Sequence, residues 1–332
     1  MFQILKKYVS VQAVSGREEK LSRVIEEAVS PYVDSVRRDA TGNLIAFKKG
    51  SDKEAKKLMF AAHMDEIGFL ATFICENGMI RVAPVGGIGF VSAAFTHVVF
   101  ENGTKGVLVP ESGTKPEEIN GDNILVDIGA QSRKEAEKRV FVGERVSVVP
   151  SLEKLAKKRV CGRPIDDRIG CAVMTEALKK IVDCKNDTYF VFTAQEEVGL
   201  RGSRPAAFGI MPDLGVAVDV CSTGDAEGDK FMNVKLGGGA AIKVKDASVL
   251  SDAAFVETIV GIAKERGIKH QMEILLKGGT DAASMQLAGS GAAVSGISIP
   301  TRYIHSSVET VDLEDAEAAA ELIAALAETS LK

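Results

Sequence analysis

The run Leu58-Met59-Phe60-Ala61-Ala62 holds no polar residue in five positions. A strand that meets water on one face alternates apolar and polar side chains, so an unbroken run marks a strand buried on both faces. Tyr189-Phe190-Val191-Phe192 and the segment 215–220, apolar apart from Asp219, also read as strands. Beyond Cys161 such strands alternate with helical segments. The pattern gives a helix over 169–182, strands over 188–193 and 215–220, and a helix over 251–266. A strand over 271–275, a helix over 282–288, a strand over 292–299 and an Ala-rich closing helix over 312–328 complete it. Alternation of this kind predicts an α/β domain with a mainly parallel sheet.

The first 30 residues predict two helices. Ser15-Gly16-Arg17-Glu18 has the S-x-x-E spacing of a capping box and is placed at the start of the second. A hairpin is expected around the turn Thr41-Gly42-Asn43. From Gly68 to Pro150 the character changes to frequent glycines and short strands with no long helical period. This segment reads as an all-β insertion of one small domain. The expected division is a catalytic domain from 1–67 and 151–332, and an inserted β domain over 68–150.

Several function classes are excluded by composition. A net charge of -5 leaves no basic footprint for nucleic acid. The longest apolar runs are of strand length, so no membrane partner is expected. The N-terminus lacks the basic start, apolar core and cleavage site of a signal peptide, and a cytoplasmic location is the expectation. The five cysteines form no C-x-x-C pair and are odd in number, which fits reduced thiols rather than a disulfide frame.

In open α/β sheets, ligands collect beyond the carboxyl ends of the strands. There the chain places His63-Met64-Asp65, the adjacent carboxylates Glu196-Glu197, Asp219 and, after the turn at Pro300, His305. Asp166-Asp167 precedes the helix at Ile169. Each alone has an ordinary reading, as a strand-end polar residue or a helix cap. Together they bring imidazole and carboxylate donors to one sheet edge, a set that suits zinc or a similar divalent ion. A bridging carboxylate would hold two ions. His97 and His270 have no such neighbours and read as structural or surface residues.

The motifs AAHMDEIGF (61–69), GRPIDDRIGC (162–171), TAQEEVGLRG (193–202), VAVDVC (216–221), GGTDAASMQ (278–286) and SIPTRYIHSSVE (298–309) occur in this order. With them the chain resembles the tetrahedral (TET) family of dinuclear-metal aminopeptidases, the glutamyl aminopeptidase and endoglucanase M-like peptidases. The resemblance implies a three-layer α/β/α metallopeptidase domain interrupted by a β-barrel-like domain.

It also implies roles. His63 serves one ion and His305 the other, Glu197 and Asp219 each complete a metal site, and Asp166 bridges the two ions. Asp65 stands behind His63 and orients its imidazole, Asp167 lies behind the ligands, and Glu196 is the general base. The implied cofactors are two divalent ions per subunit, Zn or Co, with Mn also accommodated. The implied reaction is removal of N-terminal residues from short peptides by a metal-activated water, within a homo-oligomer that extends to a dodecamer in the family. A related amidase (deacylase or carboxypeptidase) and a non-catalytic metal-binding assembly protein are the alternatives. Gly278 to Asp281 is expected as a tight turn near the pocket or a helix start, with Arg302 and Tyr303 as candidate pocket residues. The insertion departs from the family pattern: Gly86-Gly87 is followed by IGFVSAAFTHVVF, and the chain has no tryptophan.

Overall fold

The strand Lys57–His63 has six of its seven residues buried, and the five apolar ones divide between two cores. Successive strand residues point to opposite faces. Leu58, Phe60 and Ala62 therefore join Phe190, Phe192, Val216 and Val218 in one core. Met59 and Ala61 join Val191 and Ala217 in the other. The first face is covered by the helices Arg168–Lys180 and Leu313–Ala327 with the N-terminal helices Phe2–Val9 and Glu19–Val29. The second is covered by the shorter helices Ser203–Ile210 and Ala282–Gln286. The unbroken apolar run thus has its cause in a sheet sandwiched between two helical layers. The computed structural model describes residues 1–225 and 232–331.

Asp187–Thr193, Lys57–His63, Leu214–Cys221 and Ala293–Arg302 lie side by side and parallel at the centre of the sheet. Antiparallel strands extend it on both sides. Register brings the carboxyl ends level: Thr193 lies opposite His63, and Asp219 opposite Ser298. The expected fold class, an α/β/α layer structure with an inserted barrel, is the one observed.

The chain leaves the sheet after His63. It then closes a six-stranded antiparallel barrel from Gly68–Ile74, Ile80–Val85, Ile124–Asp127, Lys105–Pro110, His97–Phe100 and Arg145–Val148. Closure leaves no free edge, and the barrel has its own core around Phe69, Ile80, Phe100, Leu108 and Val146. The sheet resumes at Ser151.

One local expectation fails. Ser15 and Glu18 do not form a capping box. The second helix begins at Glu19 with no side-chain cap, and the Ser15 hydroxyl instead donates to Asp65 Oδ2 at 2.6 Å. A buried carboxylate makes the stronger, charge-assisted partner.

Candidate metal centre

Five segments deliver the site. His63 ends its strand, Asp166 lies in the loop before the helix Arg168–Lys180, and Glu196 and Glu197 follow the strand Asp187–Thr193. Asp219 lies near the end of Leu214–Cys221, and His305 follows Ala293–Arg302. Asp166 stands between the two imidazoles. Its Oδ1 is 3.0 Å from His63 Nε2, and its Oδ2 is 3.3 Å from His305 Nε2. Asp219 Oδ1 completes the first side at 3.9 Å from His63 Nε2. Glu197 Oε1 completes the second at 3.3 Å from His305 Nε2. Ligand atoms of His63, Asp166 and Glu197 lie within 4.8 Å of one another, as do those of His63, Asp167 and Asp219.

Asp167 stands beside the cluster, but both of its oxygens accept backbone N–H groups. Its Oδ1 accepts from Gly170 N and caps the helix, while Oδ2 accepts from the His63 main chain. His63 Nδ1 is 3.1 Å from the main-chain oxygen of Asp65 and 3.5 Å from its carboxylate. The carboxylate of Asp65 does something the sequence did not suggest: it accepts the backbone N–H groups of both Glu196 and Glu197.

Burial pushes the Asp219 carboxyl up to about 7, with His63 opposing and Asp166 adding to the rise. Glu196 is also raised, by burial and then by the charges of Asp219, Asp281 and Glu197 against the pull of His63. Burial would depress the imidazoles, but the carboxylates outweigh it. His305 is held up to about 11 by Asp166 and Glu197, and His63 is raised by Asp166 and Asp65. Such a cluster has more carboxylate than its imidazoles can balance, and the donor set is the one divalent ions take. The residues present fit two metal ions sharing Asp166.

Several supporting residues escaped the sequence. Glu309 is buried, and its two oxygens accept from Ile165 N, Asp166 N and His305 N. The inserted barrel contributes a carbonyl: Gly87 O receives His305 Nδ1–H at 3.0 Å, fixing Nε2 as the free donor atom. A Cβ at Gly87 would come within 3.2 Å of that same Nδ1. At Gly86, where φ is +79°, it would come within 2.6 Å of Ile67 and 3.2 Å of Glu197 Cβ. The glycine pair thus lets the barrel approach the site.

The pocket above the cluster has a volume of about 880 Å3 and is walled by Leu200, Val220, Leu275, Leu276, Thr280 and Ile304. Gly278 and Gly279 line it as well. Arg302 and Tyr303 do not; Arg302 pairs with Asp225 at 2.8 Å. Asp281 does not cap Ala282–Gln286 but accepts from Thr193 Oγ1 at 2.6 Å. His97 lies exposed on the barrel, and His270 Nδ1 bonds Ile268 O, both away from the cluster.

A model of the M42 glutamyl aminopeptidase family matches residues 42–322. A candidate aminopeptidase of Acetivibrio thermocellus is 42% identical over 97% of each chain. The solved aminopeptidase APDkam598 of Desulfurococcus kamchatkensis superposes with a TM-score of 0.94, at 35% identity, over 98% of this chain and 94% of that one. The TET1 peptidase of Pyrococcus horikoshii, described as assembling into a tetrahedron or a large octahedral shell, superposes with a TM-score of 0.88, at 33% identity, over 98% of both chains.

Proposed function

The chain belongs to the M42 glutamyl aminopeptidase family and is a peptide hydrolase, and from that premise we propose that it removes N-terminal residues from short peptides with two divalent metal ions and Glu196 as general base. The observation that carries the reading is the split carboxylate of Asp166, one oxygen toward His63 and the other toward His305. His63, Asp166 and Asp219 would hold one ion; Asp166, Glu197 and His305 the other. Zn or Co suits these donors, and Mn is accommodated.

When bound, the ions supply Lewis acidity, lowering the pKa of water and polarising a carbonyl. The remaining chemistry belongs to the protein. Glu196 lines the pocket, and burial, joined by the charges of Asp219, Asp281 and Glu197, raises its proton affinity. It is therefore suited to take a proton from water near neutral pH and pass it to the leaving amine. Glu197 reaches His305 at 3.3 Å and serves as ligand, which leaves Glu196, also at the pocket wall, to serve as base. The pocket has room for a short peptide.

We assign residues 1–67 and 151–332 to the catalytic unit, and 68–150 to an inserted unit that governs assembly and access. A homo-oligomer, extending to a dodecamer, is supported by the likeness to a shell-forming relative. All five cysteines are free thiols, which fits a reducing compartment, the cytoplasm. Among the described residues no helix is long and apolar enough to cross a membrane.

The test is hydrolysis of Glu-, Leu-, Ala- and Lys-p-nitroanilides beside their N-acetylated forms. Cleavage of free-amine substrates alone, abolished by chelation and restored by Co or Zn, is expected. Cleavage of acylated substrates would move the reading to a deacylase, and no cleavage with two ions bound would move it to a non-catalytic assembly protein.

A further inference from the structure

Glu18 has a job that its place before a helix does not explain. It is 6% exposed, and its side chain makes no bond to the helix it precedes, although its main-chain oxygen accepts Ser22 N. Its Oε1 accepts Gly16 N at 2.6 Å and, across the molecule, Gln195 N at 3.2 Å. Gln195 immediately precedes Glu196 and has φ of +57°, in the left-handed region that non-glycine residues seldom occupy. A backbone in that state persists only where its surroundings hold it.

Those surroundings are unusually complete. Four consecutive backbone N–H groups, from Ala194 to Glu197, each end on a side-chain oxygen. The acceptors are Asn43 Oδ1, Glu18 Oε1, Asp65 Oδ1 and Asp65 Oδ2. Asn43 also donates to Gly202 O, closing the far end of the loop. Within this set Asp65 holds Glu196 itself, and Glu18 is the side chain that holds Gln195, the left-handed residue before it.

We infer that Glu18 is a positioning residue for the general base: by capturing the N–H of Gln195 it fixes the backbone from which Glu196 is aimed into the pocket. The inference rests on the role proposed for Glu196. The turn that bears Glu18 is itself gripped. Ser15 donates to Asp65, Arg145 of the barrel donates to Ser15 O at 3.3 Å, and Arg17 pairs with Glu101 at 3.2 Å. The Ser15–Glu18 turn therefore docks between the barrel and the loop that carries the base.

The test compares Glu18→Leu and Glu18→Gln in the full-length, metal-loaded protein. It measures kcat, KM, ion content and amide hydrogen exchange over 190–202. Glu18→Leu should lower kcat by about 100-fold, the scale of a misplaced catalytic group, with KM and two bound ions retained. Its amides at 194–197 should exchange at least about tenfold faster. Glu18→Gln keeps the accepting oxygen and should restore both. Wild-type exchange and kcat in Glu18→Leu would overturn the inference. So would joint loss of kcat, KM and ions that Glu18→Gln fails to rescue, since that pattern marks a general structural role. Absence of peptidase activity in the wild-type protein would instead overturn the functional reading, and with it the base; the exchange rates would still report on the clamp alone.

Discussion

The carboxylate of Asp65 accepts the backbone N–H of Glu196 through Oδ1 at 3.0 Å and that of Glu197 through Oδ2 at 3.2 Å. One buried side chain thus sets the orientation of both the proposed base and a proposed ligand. Asp65→Asn can accept through only one atom and turns a donor toward the other N–H. A buried donor left unpaired costs about 1–3 kcal/mol. His63 keeps its bond to the Asp65 main-chain oxygen. The expected result is a fall in kcat of about 100-fold with ion content retained, read by steady-state kinetics beside metal analysis. Ion loss in step with activity would assign Asp65 to the metal cluster instead.

Asp166 faces both imidazoles, whereas Asp219 and Glu197 each lie on one side. Removing the shared carboxylate should therefore empty both positions. Asp166→Ala is expected to retain no tightly held ion, and Asp219→Ala or Glu197→Ala one. Metal analysis after desalting checks the stoichiometry. One ion retained in Asp166→Ala would show that the oxygens do not divide between two sites.

Glu196 makes no contact with the ligand atoms of the cluster comparable to that of Glu197 with His305. Glu196→Gln preserves shape and removes the proton acceptor. General-base losses are on the order of 10²–10⁴-fold in kcat, and two ions should remain. Unchanged hydrolysis would remove Glu196 from the mechanism.

The strands were legible because burial on both faces leaves a plain sequence mark. The proposed ligands were legible as a cluster because the sheet edge gathers the residues that stand at the end of each strand. The supports were not legible, for a physical reason. Glu309, Asn43, Glu18 and the carbonyl of Gly87 all act on or through main-chain groups that every residue type possesses. A sequence does not record which backbone N–H will lack a partner, or which carboxylate more than a hundred residues away will meet it. Ser15 shows the converse. Its spacing from Glu18 matched a local motif, but Asp65 offered a stronger partner through the tertiary fold.

Lys243 and Glu273 form an ion pair with both side chains wholly buried in the sheet beyond the pocket wall. Breaking such a pair strands a charge and costs about 3–5 kcal/mol, whereas replacing both partners with apolar residues of similar volume is often neutral. Lys243 also lies 3.8 Å from the buried Asp246, so Glu273→Leu should lower Tm, and the double change Lys243→Met with Glu273→Leu should recover only part of the loss, because Asp246 then loses its cation. Equal destabilisation by single and double variants, in thermal unfolding, would show that packing rather than charge governs the site.

Burial, aided by the charge of Asp65, pushes the Glu18 carboxyl up to about 7, above the value of about 4.3 expected when unfolded. A raised folded-state pKa favours the folded protein at low pH, and that contribution is lost as pH rises through 7. The full swing is on the order of 3 kcal/mol. Glu18→Gln keeps the bond to Gln195 but has no proton to lose. Its stability relative to the wild-type protein should therefore grow between pH 5 and 8, as the native carboxyl is forced to ionise in place. Thermal unfolding of the two metal-loaded proteins across that range reads the difference directly, because titrations common to both cancel. A constant difference would mean that Glu18 ionises as freely as a surface glutamate, and that its carboxylate is solvated where it meets Gln195.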